Sequence, residues 1–268
     1  MKITLLGTGT SQGVPTIGCR CQVCRSKDPR DMRLRSSAMV EWRGVRVVID
    51  AGPDFRQQML REGVRHLDAL LLTHDHKDHT GGIDDTRAFC FVDYPTIHRI
   101  QIYATAQTLK AVRHDYHYAF VPEHSKYIGV PEIDLHEVEL GGDFTITSED
   151  GKRSIEVRSI IGEHAPGYSI TGYRFGTFAY LTDFKRVSDE QVERLRGIET
   201  IVINALRWGQ HYSHFNVEEA LDLVGRAGIK RAYLTHCSHD VGLIDEANGR
   251  LPEGVEFGYD GLQIIINE

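Results

Sequence analysis

The chain has 268 residues, 41% of them hydrophobic and 26% charged, with a formal charge of −7. That is enough for a sizeable core in one large domain or two fused halves, and no apolar run reaches the roughly 20 residues a membrane-spanning helix needs. The acidic balance disfavours a broad nucleic-acid footprint, which requires clustered Lys and Arg, but leaves room for a small anionic substrate if bound metal supplies positive charge.

In chain order, the strand KITLLG runs into the glycine-rich loop GTGTSQGVPTIGCRCQVC. MKITLLGTGTSQG lacks the long apolar stretch of a signal peptide, so a cytoplasmic location is expected. SSAMVEW and VRVVID pattern as a hairpin closed at Arg43 and Gly44, DFRQQMLREG as a short helix stopped by glycine, and LDALLL as a buried strand. IQIYA is a further strand and TAQTLKAVRHDYHYAF a helix, followed by the strand-like segments IDLHEVEL, DFTIT, SIEVRSII, GYSITGYRF and GTFAYLTD. The last third alternates: a helix from Ser188, strand ETIVINAL, a helix from Asn216, strand RAYLTH, a helix from Asp240, and strand EFGYDGLQIII. With no low-complexity linker and no repeat of fixed short period, one domain over residues 1–268 is expected, carrying a zinc-binding loop at about 13–30. The expected fold class is α/β: two packed sheets with helices on both outer faces, a four-layer αββα sandwich.

The stretch LLTHDHKDHTGG places three histidines and two aspartates directly behind the buried strand. Alternate residues of an extended backbone point the same way, so His74 and His76 can converge on one ion, while Asp78 and His79 in the following turn reach a second. Imidazole and carboxylate suit Zn²⁺ and also Mn²⁺ or Fe²⁺. A merely polar exposed loop fits poorly with a cluster set behind an apolar strand and closed by Gly-Gly. One hexapeptide cannot complete two coordination shells. His164, Asp183 and His236 are candidates for the remainder: each alone reads as an ordinary hydrogen-bonded side chain, but all three share a place at the end of an apolar strand.

Cys19, Cys21 and Cys24 cluster, whereas Cys90 and Cys237 stand alone. In a reducing compartment this spacing points to a metal site rather than a disulfide framework. Three thiolates leave one tetrahedral position open, with Cys237 and His239 as candidates to fill it. His239 is preferred, because a short turn three residues beyond His236 can present one imidazole to each site. Three free thiols on a mobile loop is the alternative reading. In SHFNVEEAL, Asn216 reads as a helix N-cap with Glu219 three residues on, which sets His214 just outside the helix and facing the strand ends. That makes His214 a candidate general acid or transition-state donor, against the alternative of a surface histidine at a helix cap. Arg207 and His211, with Trp208 and Tyr212, share its loop; they either line the pocket, with Arg207 gripping phosphate, or pack the loop. His114 and His117 read as the flank of an amphipathic helix.

The order HxHxDH, later His, later Asp, final His resembles the metallo-β-lactamase superfamily of dinuclear metallohydrolases. The resemblance implies His74, His76 and His164 on one metal, Asp78, His79 and His236 on the other, and Asp183 bridging. Asp50 in VVIDAG would orient the ligands from behind, since a carboxylate accepting a ligand's second N–H fixes its tautomer. The cysteine loop together with THCSH resembles the cyclic phosphate phosphodiesterases of the PhnP type, whose members carry an extra structural zinc, and this implies Cys19, Cys21, Cys24 and His239 as its ligands. The segment from Tyr94 to Ser148 offers no comparable motif.

The cofactors implied are two Zn²⁺ or Mn²⁺ ions in the active site and one structural Zn²⁺. Two such ions, about 3.5 to 4 Å apart, share a water and lower its pKa towards about 7. The activity implied is hydrolysis of a small phosphodiester, such as a cyclic sugar phosphate whose ring strain assists opening, with His214 and Asp78 as catalytic residues. Branches that process transfer-RNA 3′ ends also place a histidine ahead of this helix, but no basic arm is evident here. Non-catalytic cofactor-biosynthesis relatives lose the dinuclear ligands, and every ligand position here is filled. Acyl transfer wants an oxyanion site rather than a leaving-group acid. The expected partner is a small-molecule phosphodiester, with no membrane, nucleic acid disfavoured and a homodimer left open.

Overall fold

The computed structural model describes residues 1–122, 124, 127 and 129–267. Its strands are β1 (Lys2–Gly7), β2 (Ser37–Trp42), β3 (Val45–Ile49), β4 (Ala69–Leu71), β5 (Ile100–Ala104), β6 (Ile133–Glu137), β7 (Asp143–Thr147), β8 (Ser154–Ala165), β9 (Tyr168–Phe175), β10 (Phe178–Leu181), β11 (Thr200–Asn204), β12 (Arg231–Thr235), β13 (Val255–Phe257) and β14 (Gln263–Ile265). They form two seven-stranded sheets, ordered β14-β1-β2-β3-β4-β5-β6 and β13-β12-β11-β10-β9-β8-β7. Both sheets follow one plan: antiparallel pairing up to β3 or β10, then parallel pairing through three further strands. β3 and β10 therefore hold equivalent places. The residues that follow them, Asp50 and Asp183, share a left-handed backbone with φ of 64° and 66°.

Three apolar cores separate four layers. Val45, Val47 and Ile49 of β3 meet Phe178, Tyr180 and Val202 between the sheets. Ala179, Leu181, Ile201 and Ile203 point outward, beneath α5 (Asp189–Arg194), α6 (Val217–Ala227) and α7 (Ile244–Asn248). On the opposite face, Val48, Leu70 and Ile102 pack against α1 (Phe55–Glu62) and α4 (Ala106–Asp115). Strands buried on both faces read as continuous apolar runs, which is why VRVVI, LLL and TIVI show little alternation. The αββα sandwich is thus the observed architecture. No helix among the described residues is long and apolar enough to cross a membrane.

The structure departs from the sequence reading at several elements. EFGYDGLQIII is two strands, not one: β13 closes the second sheet and β14 the first. Backbone pairing switches between them, from Gly258 N–H donating to Leu234 O to Gly261 N–H donating to Leu5 O, and Gly261 turns the chain at φ 88°. β-propensity reports an extended backbone but not its partner. The helix expected through Phe120 ends at Asp115, and a 3₁₀ turn at His117–Ala119 follows, with the Tyr116 hydroxyl donating to Thr80 O at 2.7 Å. The helix expected from Asp240 is a 3₁₀ turn at His239–Val241 and then α7, separated by Gly242 at φ 95°. Two one-turn helices, α2 (Lys77–Thr80) and α3 (Arg87–Cys90), are too short to show a helical period.

One glycine sets how closely the first sheet approaches the histidine hexapeptide. A Cβ on Gly52 would lie 2.0 Å from the Asp78 carbonyl oxygen. We expect Gly52→Ala to cost about 1–3 kcal/mol or more, since backbone atoms cannot yield as a flexible side chain can. Chemical denaturation measures it, and an unchanged midpoint would show that the two segments tolerate separation.

Candidate active site and metal centres

The candidate residues gather at the carboxyl ends of the parallel strands, where open α/β sheets bind ligands. Asp50 follows β3, His74 to His79 follow β4, Asp183 follows β10 and His236 follows β12. Asp50, Asp183 and His236 all have positive φ (64°, 66° and 55°), an uncommon conformation for residues other than glycine and one that concentrates at functional sites. His164 lies within β8, where the register with β9 shifts between Glu163 and Ala165; such a bulge re-aims a side chain.

Two sets of ligand atoms result, one from His74, His76 and His164 and the other from Asp78, His79, Asp183 and His236, each set lying within 4.8 Å of one another. Asp183 reaches towards both sets. Its Oδ2 is 3.2 Å from His79 Nε2 and 3.2 Å from His236 Nδ1, and the carboxylate also groups with His164 and His214. The chemistry of the set fits cations. Asp50 accepts from Thr73 N–H, from the Thr73 hydroxyl and, at 2.7 Å, from His79 Nδ1. His79 Nε2 then carries a lone pair, yet it faces Asp78 Oδ2 at 3.0 Å and Asp183 Oδ2 at 3.2 Å. It has no hydrogen-bond partner, and neither does buried His74 Nε2. A lone pair set against carboxylate oxygens is repulsive unless a cation lies between them. His164 Nδ1 donates to Asp183 O at 2.7 Å, which fixes its tautomer and leaves the Nε2 lone pair available to a cation.

The charges follow the same pattern. Burial opposes a charge on His79, but Asp183, Asp78 and Asp50 push its pKa well above the ordinary value, so that with no metal ion present a proton on Nε2 takes the cation's place between the carboxylates. Burial raises the Asp183 carboxyl, and His236 and His79 more than reverse this, holding it well below the usual carboxylate range. Burial lowers His74 strongly and His76 and His236 less, keeping them neutral, the form in which imidazole binds metal.

The second cluster is separate. His239 Nδ1 lies 3.2, 3.3 and 3.4 Å from the sulfurs of Cys19, Cys21 and Cys24, close to the N···S edge of about 3.5 Å for tetrahedral zinc with bonds near 2.0 and 2.3 Å. Cys237 is buried among apolar side chains and is not one of the grouped residues. The Cys24 amide, donating to Cys21 Sγ, draws that thiol down to about 6. Protein contacts dock the loop as well: Asp31 accepts from Ile244 N–H at 2.8 Å and Arg30 pairs with Asp245 at 2.9 Å.

His214 stands beside the first centre, as its position ahead of α6 requires. The capping box is present, with Asn216 accepting from Glu219 N–H and Glu219 accepting from Asn216 N–H. His214 Nδ1 is buried, unpartnered and 3.6 Å from Asp183 Oδ1. Burial lowers its pKa to about 3. Its ring stacks on His236 at 4.8 Å and on His211 at 5.1 Å. Together they border a cleft of about 400 Å³ with Arg207, Tyr212, Ser213 and Asp240. The Arg207 guanidinium donates to Gln210 O at 2.8 Å, so it braces the loop from which it also faces the cleft.

The family model described as "Beta-lactamase superfamily domain" matches residues 45–237. The chain belongs to this superfamily. A solved structure of a new diphosphatase from the PhnP family has a TM-score of 0.86 and 38% identity, over 98% of this chain and 96% of that one. The chain thus has the metallo-β-lactamase fold and is close to the PhnP family, and that fold implies binding of divalent metal. An octanoyltransferase of Porphyromonas gingivalis is 40% identical over all of this chain but only 52% of its own length. Coenzyme PQQ synthesis protein B of Methylorubrum populi is 38% identical over 31% of this chain and 32% of its own. The chain therefore spans about half of the first of these curated relatives and a third of the second.

Several residues of this metallo-β-lactamase site carry no local signal. Thr10, Ser11 and Gln12 line the cleft, and Thr10 Oγ1 lies 3.3 Å from His236 Nε2. In the sequence GTGTSQG reads only as part of a glycine-rich loop. Ser36 Oγ is 3.2 Å from His236 Nδ1, and Tyr168 lies over the first three histidines. Thr10 and Ser36 meet His236, and Tyr168 meets His74 and His76, across more than 90 residues of sequence, so neither spacing nor period could reveal these contacts.

Proposed function

We propose that the chain hydrolyses a small phosphodiester, such as a cyclic sugar phosphate. The observation that carries this reading is the convergence of two ligand sets on Asp183, with the unpartnered Nδ1 of His214 beside it. His74, His76 and His164 would hold one divalent ion, Asp78, His79 and His236 the other, and Asp183 would bridge them. Zn²⁺ or Mn²⁺ suits this N/O set. When bound, the pair supplies Lewis acidity towards phosphoryl oxygens and an activated water. Asp50 holds His79 in the tautomer that offers Nε2, and the Asp183 carbonyl does the same for His164. His214, neutral under burial, presents a ring N–H to the leaving oxygen. Cys19, Cys21, Cys24 and His239 would hold a structural zinc that pins the loop beside the cleft.

The cleft volume falls within the range for small-molecule sites. A nucleic-acid substrate would want a long cationic track, and the neighbour of 38% identity is a diphosphatase from the PhnP family. The transferase name belongs to a relative twice as long, while this half carries the metallohydrolase ligands. Assaying a ribose cyclic phosphate, a chromogenic phosphodiester and a precursor transfer RNA after metal loading tests the reading. Turnover of the small diesters is expected; cleavage of the RNA alone would overturn it.

His239→Ala is expected to remove about one zinc per chain while the His/Asp pair keeps its metal, because the two sets share no ligand. Elemental analysis decides this, and an unchanged zinc count would exclude His239 as a ligand.

A further inference from the structure

We propose that Tyr168 and Asp75 form a clamp that positions the three-histidine set: Tyr168 is a positioning residue for metal binding. This rests on the metal reading above but concerns residues outside both ligand sets. His164 and Tyr168 stand on the two arms of one tight hairpin, with Ala165 opposite Tyr168 in register beside the bulge that re-aims His164. That hairpin belongs to the second sheet, whereas His74 and His76 follow the last residues of β4 in the first. The three ligands thus come from two sheets: Thr171 N–H donating to Thr73 O at 3.1 Å and the Tyr173 hydroxyl donating to Leu72 O at 2.6 Å join them just before His74, and the stretch that carries His76 beyond needs a tie of its own.

Tyr168 spans that gap in two ways. Its hydroxyl donates to Asp75 Oδ1, the carboxylate between the two histidines of the first pair. Its ring lies 5.5 Å from His76, 5.9 Å from His164 and 6.2 Å from His74. Its contacts are with the three histidines and with Asp75, so it acts through the ligands. A hydroxyl bonded to an ionised carboxylate is among the stronger hydrogen bonds available to side chains. Placed between sheets, it resists a slide of the hairpin that would pull His164 from His76. The ring also restricts His76, the most solvent-accessible of the three.

The test is metal affinity, measured on the full chain by competition with a chromophoric chelator, with the visible spectrum of the Co²⁺-loaded protein as an independent readout. Tyr168→Phe keeps the ring and removes the hydroxyl; Asp75→Ala removes the carboxylate that accepts from it. Each is expected to weaken binding at the His/Asp pair about 10-fold or more and to shift the Co²⁺ bands, leaving the Cys19, Cys21, Cys24 and His239 zinc in place. The double variant should be no weaker than the weaker single, because both break the same bond. Affinities within about two-fold of the parent, or strictly additive losses, would overturn the clamp. If Tyr168→Ala fails to fold, Tyr168→Phe still decides. Should the parent protein hold no metal at the His/Asp pair, both this proposal and the proposed function fail; if the parent binds metal and Tyr168→Phe binds it equally well, only the clamp does.

Discussion

Replacing Asp183 by alanine is expected to lower turnover of a small phosphodiester about 10³-fold or more, since the loss of one metal forfeits several kcal/mol of transition-state stabilisation and each 1.36 kcal/mol is tenfold. The metal content of the His/Asp pair should fall with it. Asp183 meets both ligand sets: one carboxylate oxygen is 3.2 Å from His79 and His236, and the carboxylate also groups with His164 of the three-histidine set. Removing it also leaves His79 Nε2 facing Asp78 alone. Asp183→Asn separates charge from shape, because the amide keeps the volume but cannot bridge two cations as a carboxylate does. If Asp183→Ala kept full metal content and near-normal turnover, the bridging role would be lost, and with it the two-centre reading. A Gly at this position would relieve the left-handed backbone yet should be as inactive as Ala, which shows that the conformation serves the side chain.

The second large effect is expected at His214. His214→Ala should retain all metal and lose about 10² to 10³ in kcat, the range for one lost hydrogen-bond donor to the charge that develops on the leaving oxygen. The loss should be greatest for substrates with poor leaving groups, since an activated leaving oxygen needs little help. The ring is stacked between His211 and His236 and backed by the capped start of α6, so truncation removes the donor without unseating a ligand. Because burial keeps this imidazole neutral at neutral pH, its contribution there is a donated N–H rather than a standing positive charge. Near-normal turnover of a poor-leaving-group diester by His214→Ala would dismiss it as the donor, and metal loss in that variant would recast it as a ligand.

These expectations show what a linear chain makes legible. The hexapeptide from His74 to His79, the CxCxxC loop and the Asn216–Glu219 capping box are each complete within a few residues, so residue type and spacing suffice to read the chemistry. The layered architecture is legible for a similar reason: apolar runs without alternation mark strands covered on both faces. The partners His164, Asp183 and His236 could be read only from their order and their shared place at strand ends, and His239 from its spacing three residues beyond His236. The final segment illustrates the limit. Its composition marks extended backbone throughout, but Gly258 and Gly261 divide it between β12 and β1 as pairing partners, a choice settled by neighbours more than 20 and 250 residues away.

By itself, then, the sequence determined the donor types, the local turns that present them and the apolar pattern that demands two buried sheets. Tertiary structure alone decided the left-handed kinks at Asp50, Asp183 and His236, the meeting of the glycine-rich loop with His236, and the Tyr168 contact across the sheets. The reason is physical: a ligand's chemistry is a property of its own atoms. Its position is imposed by closure of the whole core, which fixes where two sheets from distant parts of the chain bring their strand ends together.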